Sequence, residues 1–165
     1  EAKISSSISE KPTLILTTGA VSAGEKDFIP SLATKMGFKT LMHKAAIRPG
    51  KPVFLAQKGS TIWLGLPGNA ISTCVGWQFF GRPLLSSWAG LKAPIRRKVK
   101  IQNTFKKPEH LRCFYRAEIN GNKAWIAPKQ GSSFLAASIQ SECYVELPEG
   151  QALFRTDSEV MATFI

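Results

Sequence analysis

Along residues 1–91, apolar runs of strand length alternate with segments in which apolar residues recur at helical spacing. Four runs of apolar and β-branched residues have the length of strands and lie at 13–18, 38–45, 52–57 and 61–66. Residues 27–36 repeat apolar side chains at helical spacing and stop at Gly37, and a longer apolar segment, 70–88, stops before Gly90. The order strand, helix, strand, hairpin, helix predicts a layered α/β unit.

The pattern changes near residues 90–94, where we place a boundary between domains at 1–91 and 92–165. Beyond it, apolar and polar residues alternate over short segments at 96–105, 114–119, 123–128, 143–150 and 159–165. The turn-forming stretches "NGN" and "PEG" lie between these segments. The second domain is therefore predicted to be a small all-β module of short strands, a barrel or a sandwich.

Positive charge is concentrated in the middle of the chain. The 165 residues have a formal net charge of +11, and residues 92–129 hold eleven basic against two acidic residues, a net +9. Such a surplus attracts anions: nucleic acid, phosphorylated metabolites or oxyanions. A solvated basic surface is the plainer interpretation of the charge alone.

Cysteine usage and hydropathy bear on the compartment. No apolar run reaches membrane-spanning length and no signal-peptide pattern opens the chain, so we expect no membrane partner. Cys74, Cys113 and Cys143 are far apart and form no C-x-x-C pair, which argues against a zinc site and favours a reducing cytoplasm. The chain begins at Glu1 without an initiator methionine, and we expect it to be part of a longer protein.

Three loops follow predicted strands, at 17–27, 43–52 and 65–72. In an open α/β sheet, ligands bind outside the carboxyl ends of the strands. The loops offer hydroxyls, backbone amides, cations and one carboxylate through Thr18, Gly19, Ser22, Gly24, Asp27, Lys44, Arg48, Gly50, Lys51, Pro52, Pro67, Gly68, Asn69 and Ser72. Together they predict an anion pocket at one edge of the sheet.

Each loop also has a simpler interpretation. Asp27 can be a capping or first-turn acid of the helix that follows it. Asn69 can be only an N-cap, which is the commoner use of asparagine before a helix. The cations of the second loop can be no more than a solvated bend.

The stretches "LTTGAVSAGEKDF", "HKAAIRPGKP" and "GLPGNAIS", in this order and spacing, resemble the molybdopterin molybdenumtransferase family, which includes the E domain of gephyrin. "FYRAEI" and "QGSSFLAAS" are similar to the barrel domain of that family. The resemblance implies the second half of a pterin-binding α/β domain followed by a β-barrel domain. It also implies a reaction in which adenylylated molybdopterin and molybdate, with Mg²⁺ as cofactor, yield molybdenum cofactor and AMP.

Site roles follow from the resemblance, position by position. Asp27, Lys44 and Lys51 match catalytic positions, and Asp27 also matches a position with a pterin or metal role. The substrate-binding positions match Thr18, Gly19, Ser22, Gly24, Arg48, Gly50, Pro52, Pro67, Gly68, Asn69, Ser72, Arg116 and Ser133. Ala20 and Ala70 depart from the family, which often has glycine and proline there.

Two other hypotheses come from the same residues. The basic segment on a small β module is compatible with a scaffold or nucleic-acid-binding module without catalysis, although we do not expect nucleic acid to be the partner. The other hypothesis is that the chain is a family relative that binds the pterin but has lost catalysis. The resemblance implies a homodimer for the full-length protein.

Overall fold

The structure, a computed structural model, describes residues 12–21, 27–128, 130 and 141–165. Its strands are β1 (Leu14–Thr18), β2 (Lys39–His43), β3 (Ile47–Arg48), β4 (Phe54–Lys58), β5 (Thr61–Leu66), β6 (Arg96–Ile101), β7 (Phe105–Lys106), β8 (Arg112–Asn120), β9 (Lys123–Ile126), β10 (Cys143–Leu147), β11 (Leu153–Phe154) and β12 (Glu159–Phe164). Its α-helices are α1 (Ile29–Lys35), α2 (Ala70–Gly76) and α3 (Arg82–Trp88). Two compact units result, Glu1–Ala45 with Gly50–Trp77 and Ala46–Pro49 with Gln78–Ile165.

The first unit is a four-stranded sheet in the order β1-β5-β4-β2. Strand β5 pairs parallel with β1 and antiparallel with β4, and β4 pairs antiparallel with β2. Strands β1, β5 and β2 therefore run in the same direction, and their carboxyl ends lie at the same edge. The prediction that three loops follow strands at one sheet edge is confirmed.

Helix α1 covers this sheet through an apolar face. It begins with Pro30 in its first turn, where a missing N–H costs nothing, and it ends before Gly37, whose φ is +81°. Its buried residues join a core around Trp63, which is fully buried and donates from its Nε1 to the Thr17 hydroxyl at 3.1 Å. Phe38 packs edge-on against the same indole, with ring centroids 5.4 Å apart.

The predicted helix over residues 70–88 is present but is interrupted by a π-helical stretch, Trp77–Gly81, between α2 and α3. Pro83 lies two residues beyond that stretch and has no N–H to donate to a carbonyl in the preceding turn. The i→i+5 hydrogen bonding of a π-helical turn rotates the side chains that follow it relative to those of a continuous α-helix. Periodicity alone did not reveal this interruption.

The second unit is a closed five-stranded barrel, as predicted. Its strands follow the order β10-β12-β6-β9-β8, and pairing of β8 with β10 closes the ring. Closure leaves no free sheet edge within the ring. Alternate residues point inward, including Cys113, Tyr115 and Ala117 of β8 and Val145 and Leu147 of β10.

The bend at residues 46–49 belongs to the barrel unit. Strand β3 pairs parallel with the start of β8, with Ile47 opposite Arg112, and the Arg48–Pro49 peptide bond is cis. The chain passes from the first unit to the second between Trp77 and Gln78, whereas the sequence pattern places the domain boundary at 90–94. Within the described part of the chain, no helix is long and apolar enough to cross a bilayer.

Candidate functional site

A pocket of about 240 Å³ lies at the carboxyl ends of β1 and β5, within the first unit. It brings together residues from all three predicted loops. Six of its lining residues were predicted from the sequence: Asp27, Pro52, Pro67, Gly68, Asn69 and Ser72. Ala20 and Val21 complete the lining.

The first and third loops approach each other through two glycines. The Gly19 amide donates to the Leu66 carbonyl at 2.8 Å, and Gly19 has a φ of +83°. A Cβ added to Gly68 would lie 3.4 Å from the Cα of Gly19. Both glycines therefore serve the close approach of two backbones, which is the physical reason for glycine in these motifs.

Asn69 caps helix α2. Its Oδ1 accepts a hydrogen bond from the Ser72 amide at 3.2 Å, so the N-cap interpretation is confirmed. The Thr73 hydroxyl donates to the carbonyls of Pro67 and Asn69, which holds the turn against the helix. Asn69 also lines the pocket, so its capping role and its position on the pocket wall coexist.

Asp27 does not cap helix α1. The N-cap is Phe28, which makes no side-chain capping bond, and the first turn of α1 contains no acidic residue. The interpretation of Asp27 as a capping or first-turn acid is therefore wrong. Asp27 is half-buried and is the acidic residue on the pocket wall among the described residues.

The second loop has a rigid base and exposed cations. The Lys44 amide donates to the Val53 carbonyl at 2.8 Å, and the Ala45 amide donates to the Lys51 carbonyl at 2.9 Å. Lys44 and Lys51 are both exposed, and Lys51 directly precedes Pro52 of the pocket wall. Gly50 is buried, with a φ of +102° that favours glycine.

Other predicted site residues lie outside this pocket. Thr18 is exposed at the end of β1, and Arg48 is exposed at the end of β3 in the second unit. Arg116 is 1% exposed in the barrel unit, where its amide and its Nε donate to Gln130 Oε1 at 3.0 and 3.4 Å. Ser22, Gly24 and Ser133 lie outside the described residues.

His43, at the end of β2, is a neighbour of the pocket that the sequence analysis does not single out. Its Nε2 lies 3.2 Å from the carbonyl oxygen of Val21, a residue of the pocket wall. Its ring packs edge-on against Phe54, with centroids 6.0 Å apart. A histidine at the end of an apolar strand, just before the basic loop, is the signal that could have indicated a role in holding that wall.

The pocket offers oxygen ligands rather than a preformed metal centre. Among the described residues, no group of three or more His, Cys, Asp or Glu side chains could hold a metal ion. The Asp27 carboxylate and the Ser72 hydroxyl are hard oxygen donors on one pocket wall. Mg²⁺ is commonly held by one or two carboxylates, with water and substrate phosphate completing its coordination, so these donors fit it.

Two protein-family profiles match separate parts of the chain. Residues 1–87 match the profile of a family described as "Probable molybdopterin binding domain". Residues 98–163 match the profile described as "MoeA C-terminal region (domain IV)". Residues 88–97 lie between the two matches, and they include the predicted boundary at 90–94.

Curated relatives carry one recurring name. Molybdopterin molybdenumtransferase of Synechococcus elongatus is 39% identical over 142 residues, which are 84% of this chain and 35% of that protein. The protein of the same name from Bacillus subtilis is 28% identical over 162 residues, covering 94% of this chain and 38% of the relative. This chain thus spans between a third and two fifths of the length of these relatives.

Solved structures share the fold. The molybdopterin biosynthesis MoeA protein of Pyrococcus horikoshii matches with a TM-score of 0.79 at 22% identity, covering 99% of this chain and 39% of that chain. A molybdenum cofactor biosynthesis protein of Pyrococcus furiosus matches with a TM-score of 0.75 at 20% identity, covering 100% of this chain and 55% of that chain. At such identities the likeness establishes the fold.

Proposed function

This chain belongs to the molybdopterin-binding family, continued by a MoeA C-terminal domain, and on that basis we propose that it acts in molybdenum cofactor biosynthesis. The proposed reaction is the insertion of molybdate into adenylylated molybdopterin, with release of AMP. The observation that carries the proposal is the pocket of about 240 Å³ on which six predicted residues from three loops converge. The whole protein would work as a homodimer in the cytoplasm.

The second loop supplies the positive charge that this chemistry needs. Molybdate and the adenylyl phosphate are anions, and Lys44 and Lys51 offer charge-assisted hydrogen bonds to such oxygens. Both side chains are exposed, so their ammonium groups can reorient towards an incoming anion. Arg48 adds a planar guanidinium that suits two-point contact with an oxyanion.

The pocket wall positions the substrates. The Ser72 hydroxyl and the glycine-rich backbone at Gly68 contribute neutral polar groups, and Pro52 and Pro67 limit the motion of both loops. Arg116 and Ser133 keep the substrate-binding role that the resemblance implies for them. Asp27, with water and the substrate phosphate, would hold Mg²⁺, which neutralises charge on the phosphate when bound.

Crystals soaked with tungstate test the oxyanion site directly. We expect anomalous density at the pocket lined by Pro52 and Ser72, near the second loop. Density confined to unrelated surface lysines, such as those of β6, would count against the proposal.

Replacement of Lys51 by alanine in the full-length protein tests the cation's role. We expect a ten- to hundredfold loss of molybdate insertion, since a hydrogen bond to a charged group contributes roughly 1.5–3 kcal/mol. Lys98→Ala is the matched control, because the Lys98 ammonium lies 2.7 Å from Glu159 on an exposed surface, where an ion pair contributes about 0–1 kcal/mol. Equal losses from both changes would contradict the assignment.

A nucleic-acid-binding function has less support than the charge of the basic segment suggests. Within the described barrel, Arg96, Lys98 and Lys123 pair with acidic side chains at 2.8, 2.7 and 3.8 Å. Phe105 packs against Tyr115 with centroids 4.6 Å apart rather than forming an open stacking surface. Salt-dependent DNA binding at micromolar affinity would restore that alternative.

A further inference from the structure

The outer surface of the barrel unit bears a second and larger pocket, of about 450 Å³. None of the residues that line the proposed oxyanion site lines this pocket. Its apolar wall is formed by Phe79, Phe80, Pro83, Pro94 and Phe114. The volume lies within the range of small-molecule sites, and walls of this composition are typical of them.

The π-helical stretch builds one wall of this pocket. It holds Phe79 so that the ring stacks on Phe114, with centroids 3.9 Å apart and planes inclined by 28°. Gln78 anchors the stretch, because its Nε2 donates to the Phe164 carbonyl at 2.9 Å. π-helical turns interrupting α-helices occur frequently at functional sites. The wall is therefore preformed and tied to the barrel.

A buried hydroxyl is also among the groups that line the pocket. Thr163 of β12 is 2% exposed, and its Oγ1 has no hydrogen-bond partner among the described residues. Its neighbour Ala162 points into the barrel core, so Thr163 lies on the outer face, among the residues that line the pocket. A polar atom of a ligand would supply the missing partner.

The charged groups at the pocket are already neutralised. Arg96 and Arg112 both contact the Glu146 carboxylate, at 2.8 and 3.1 Å. Arg112 also binds Glu149, with its Nε 2.9 Å from Oε2 and its Nη2 3.1 Å from Oε1. These two guanidinium groups and two carboxylates balance each other in charge, and the Arg82 guanidinium, which is outside the lining, donates to Gln78 Oε1 and to the Phe164 carbonyl. The network thus favours an uncharged ligand over an anion.

We propose that this pocket binds an uncharged ligand of one or two aromatic rings that carries a single hydrogen-bonding group. The rings pack against the wall of Phe80, Pro94 and Phe114, and the polar group bonds to the Thr163 hydroxyl. The site is separate from the oxyanion pocket, and its occupancy does not depend on molybdate or on the pterin.

Titration of the ¹⁵N-labelled chain with 2-naphthol, followed by NMR, tests the proposal. We expect saturable shifts at the amides of Phe79, Phe114 and Thr163. Naphthalene-2-carboxylate has the same rings but a negative charge, and we expect it to bind at least tenfold more weakly. Absence of saturable shifts at these amides, or equal affinity for the carboxylate, would overturn the proposal.

Variants separate binding in the pocket from adsorption to the surface. Thr163→Val keeps the shape but lacks the hydroxyl, and it should weaken 2-naphthol binding about threefold to tenfold. Thr163→Ser keeps the hydroxyl and should bind within about twofold of the parent. Unchanged affinity in Thr163→Val would remove the basis of the proposal.

A blocking variant keeps the test decisive if Thr163 cannot be changed without loss of folding. Ala93 is exposed at the rim, and Ala93→Phe should fill the pocket and abolish binding. Ala152→Phe, at an exposed position of the same unit outside the pocket, is the control and should bind as the parent does. Equal affinities for these two variants would contradict the assigned pocket.

Discussion

Ala20 lies on the wall of the oxyanion pocket with a φ of +54°, where a Cβ is strained. Its carbonyl accepts a hydrogen bond from the Ile29 amide at 3.1 Å, so this backbone conformation is held at the start of α1. Glycine, which the resemblance leads us to expect at this position, would relieve the strain. The alanine itself adds no group to the pocket chemistry.

We expect Ala20→Gly to raise the free energy of unfolding by about 1 kcal/mol, because the removed strain exceeds the entropy that glycine gains in the unfolded chain. Urea unfolding measures the change. Ala33→Gly, within α1, is the control and should lower the same quantity by at least about 1 kcal/mol. A loss of stability in Ala20→Gly would show that the left-handed conformation is not strained.

The Cys143 thiol makes the stability of the fold depend on pH in the alkaline range. Burial, reinforced by the negative charge of Glu142, raises the pKa of this thiol to about 12. An unfolded cysteine has a pKa of about 8.5, so the folded state favours the neutral thiol. The contribution of the thiol to the free energy of unfolding is complete below about pH 8.5 and is lost as the pH rises towards 12.

We therefore expect the parent protein to lose stability between about pH 8.5 and 12 more steeply than Cys143→Ala. Urea unfolding across this range gives the comparison. Cys74→Ala, at an exposed cysteine, is the control and should follow the parent profile. Parallel profiles for the parent and Cys143→Ala would show that the buried thiol does not carry this dependence.

At the scale of elements, strand β5 shows how packing positions the site. All six residues of β5 are buried, and its carboxyl end leads directly into the loop of Pro67 and Gly68. A Cβ on Gly65 would lie 2.7 Å from Val21 Cγ1 and 3.2 Å from Phe54 Cβ. The absence of a side chain at Gly65 therefore allows the first loop to lie against the strand.

Gly65→Ala should lower the free energy of unfolding by about 1–3 kcal/mol through overpacking. Chemical denaturation measures the loss. Val21→Ala removes the nearest clashing atom, so the double variant should be more stable than the sum of the two single changes predicts. Additive losses would show that the Gly65–Val21 approach is not what limits residue size at this position.

At the scale of the whole molecule, the open sheet and the closed barrel differ in their tendency to associate. Within the described sheet, β1 is an edge strand that pairs on one side with β5, and its Leu16 side chain is 46% exposed. An apolar strand with an unpaired edge invites pairing with another chain. The barrel closes on itself and presents no such edge in its ring.

We expect this chain to self-associate through β1 at rising concentration. Leu16→Lys should shift it towards monomer in size-exclusion chromatography with light scattering, because a charge at a strand edge opposes pairing. Leu91→Lys alters a more exposed leucine outside the sheet and should leave the association unchanged. A parent chain that stays monomeric throughout would refute the prediction.

The local pattern of the sequence predicted the strands of the first sheet and six of the residues that line the first pocket. Strand-length runs predicted β1, β4 and β5, and glycine and proline at fixed offsets marked the loops between them. These signals are local, because strand and turn conformations depend on neighbouring residues. Parallel strand direction then brought the loops of Asp27 and Ser72 to one edge.

Tertiary structure alone decided which residues line the second pocket. It also decided that the bend at residues 46–49 belongs to the barrel unit. Alternation along β8 and β12 indicates which side chains face the barrel core, but not what covers Phe114 and Thr163 on the outer face. That cover comes from a π-helical turn distant in sequence, and Arg48 joins the barrel unit only through pairing of β3 with β8. Such placements depend on long-range packing, which local periodicity does not encode.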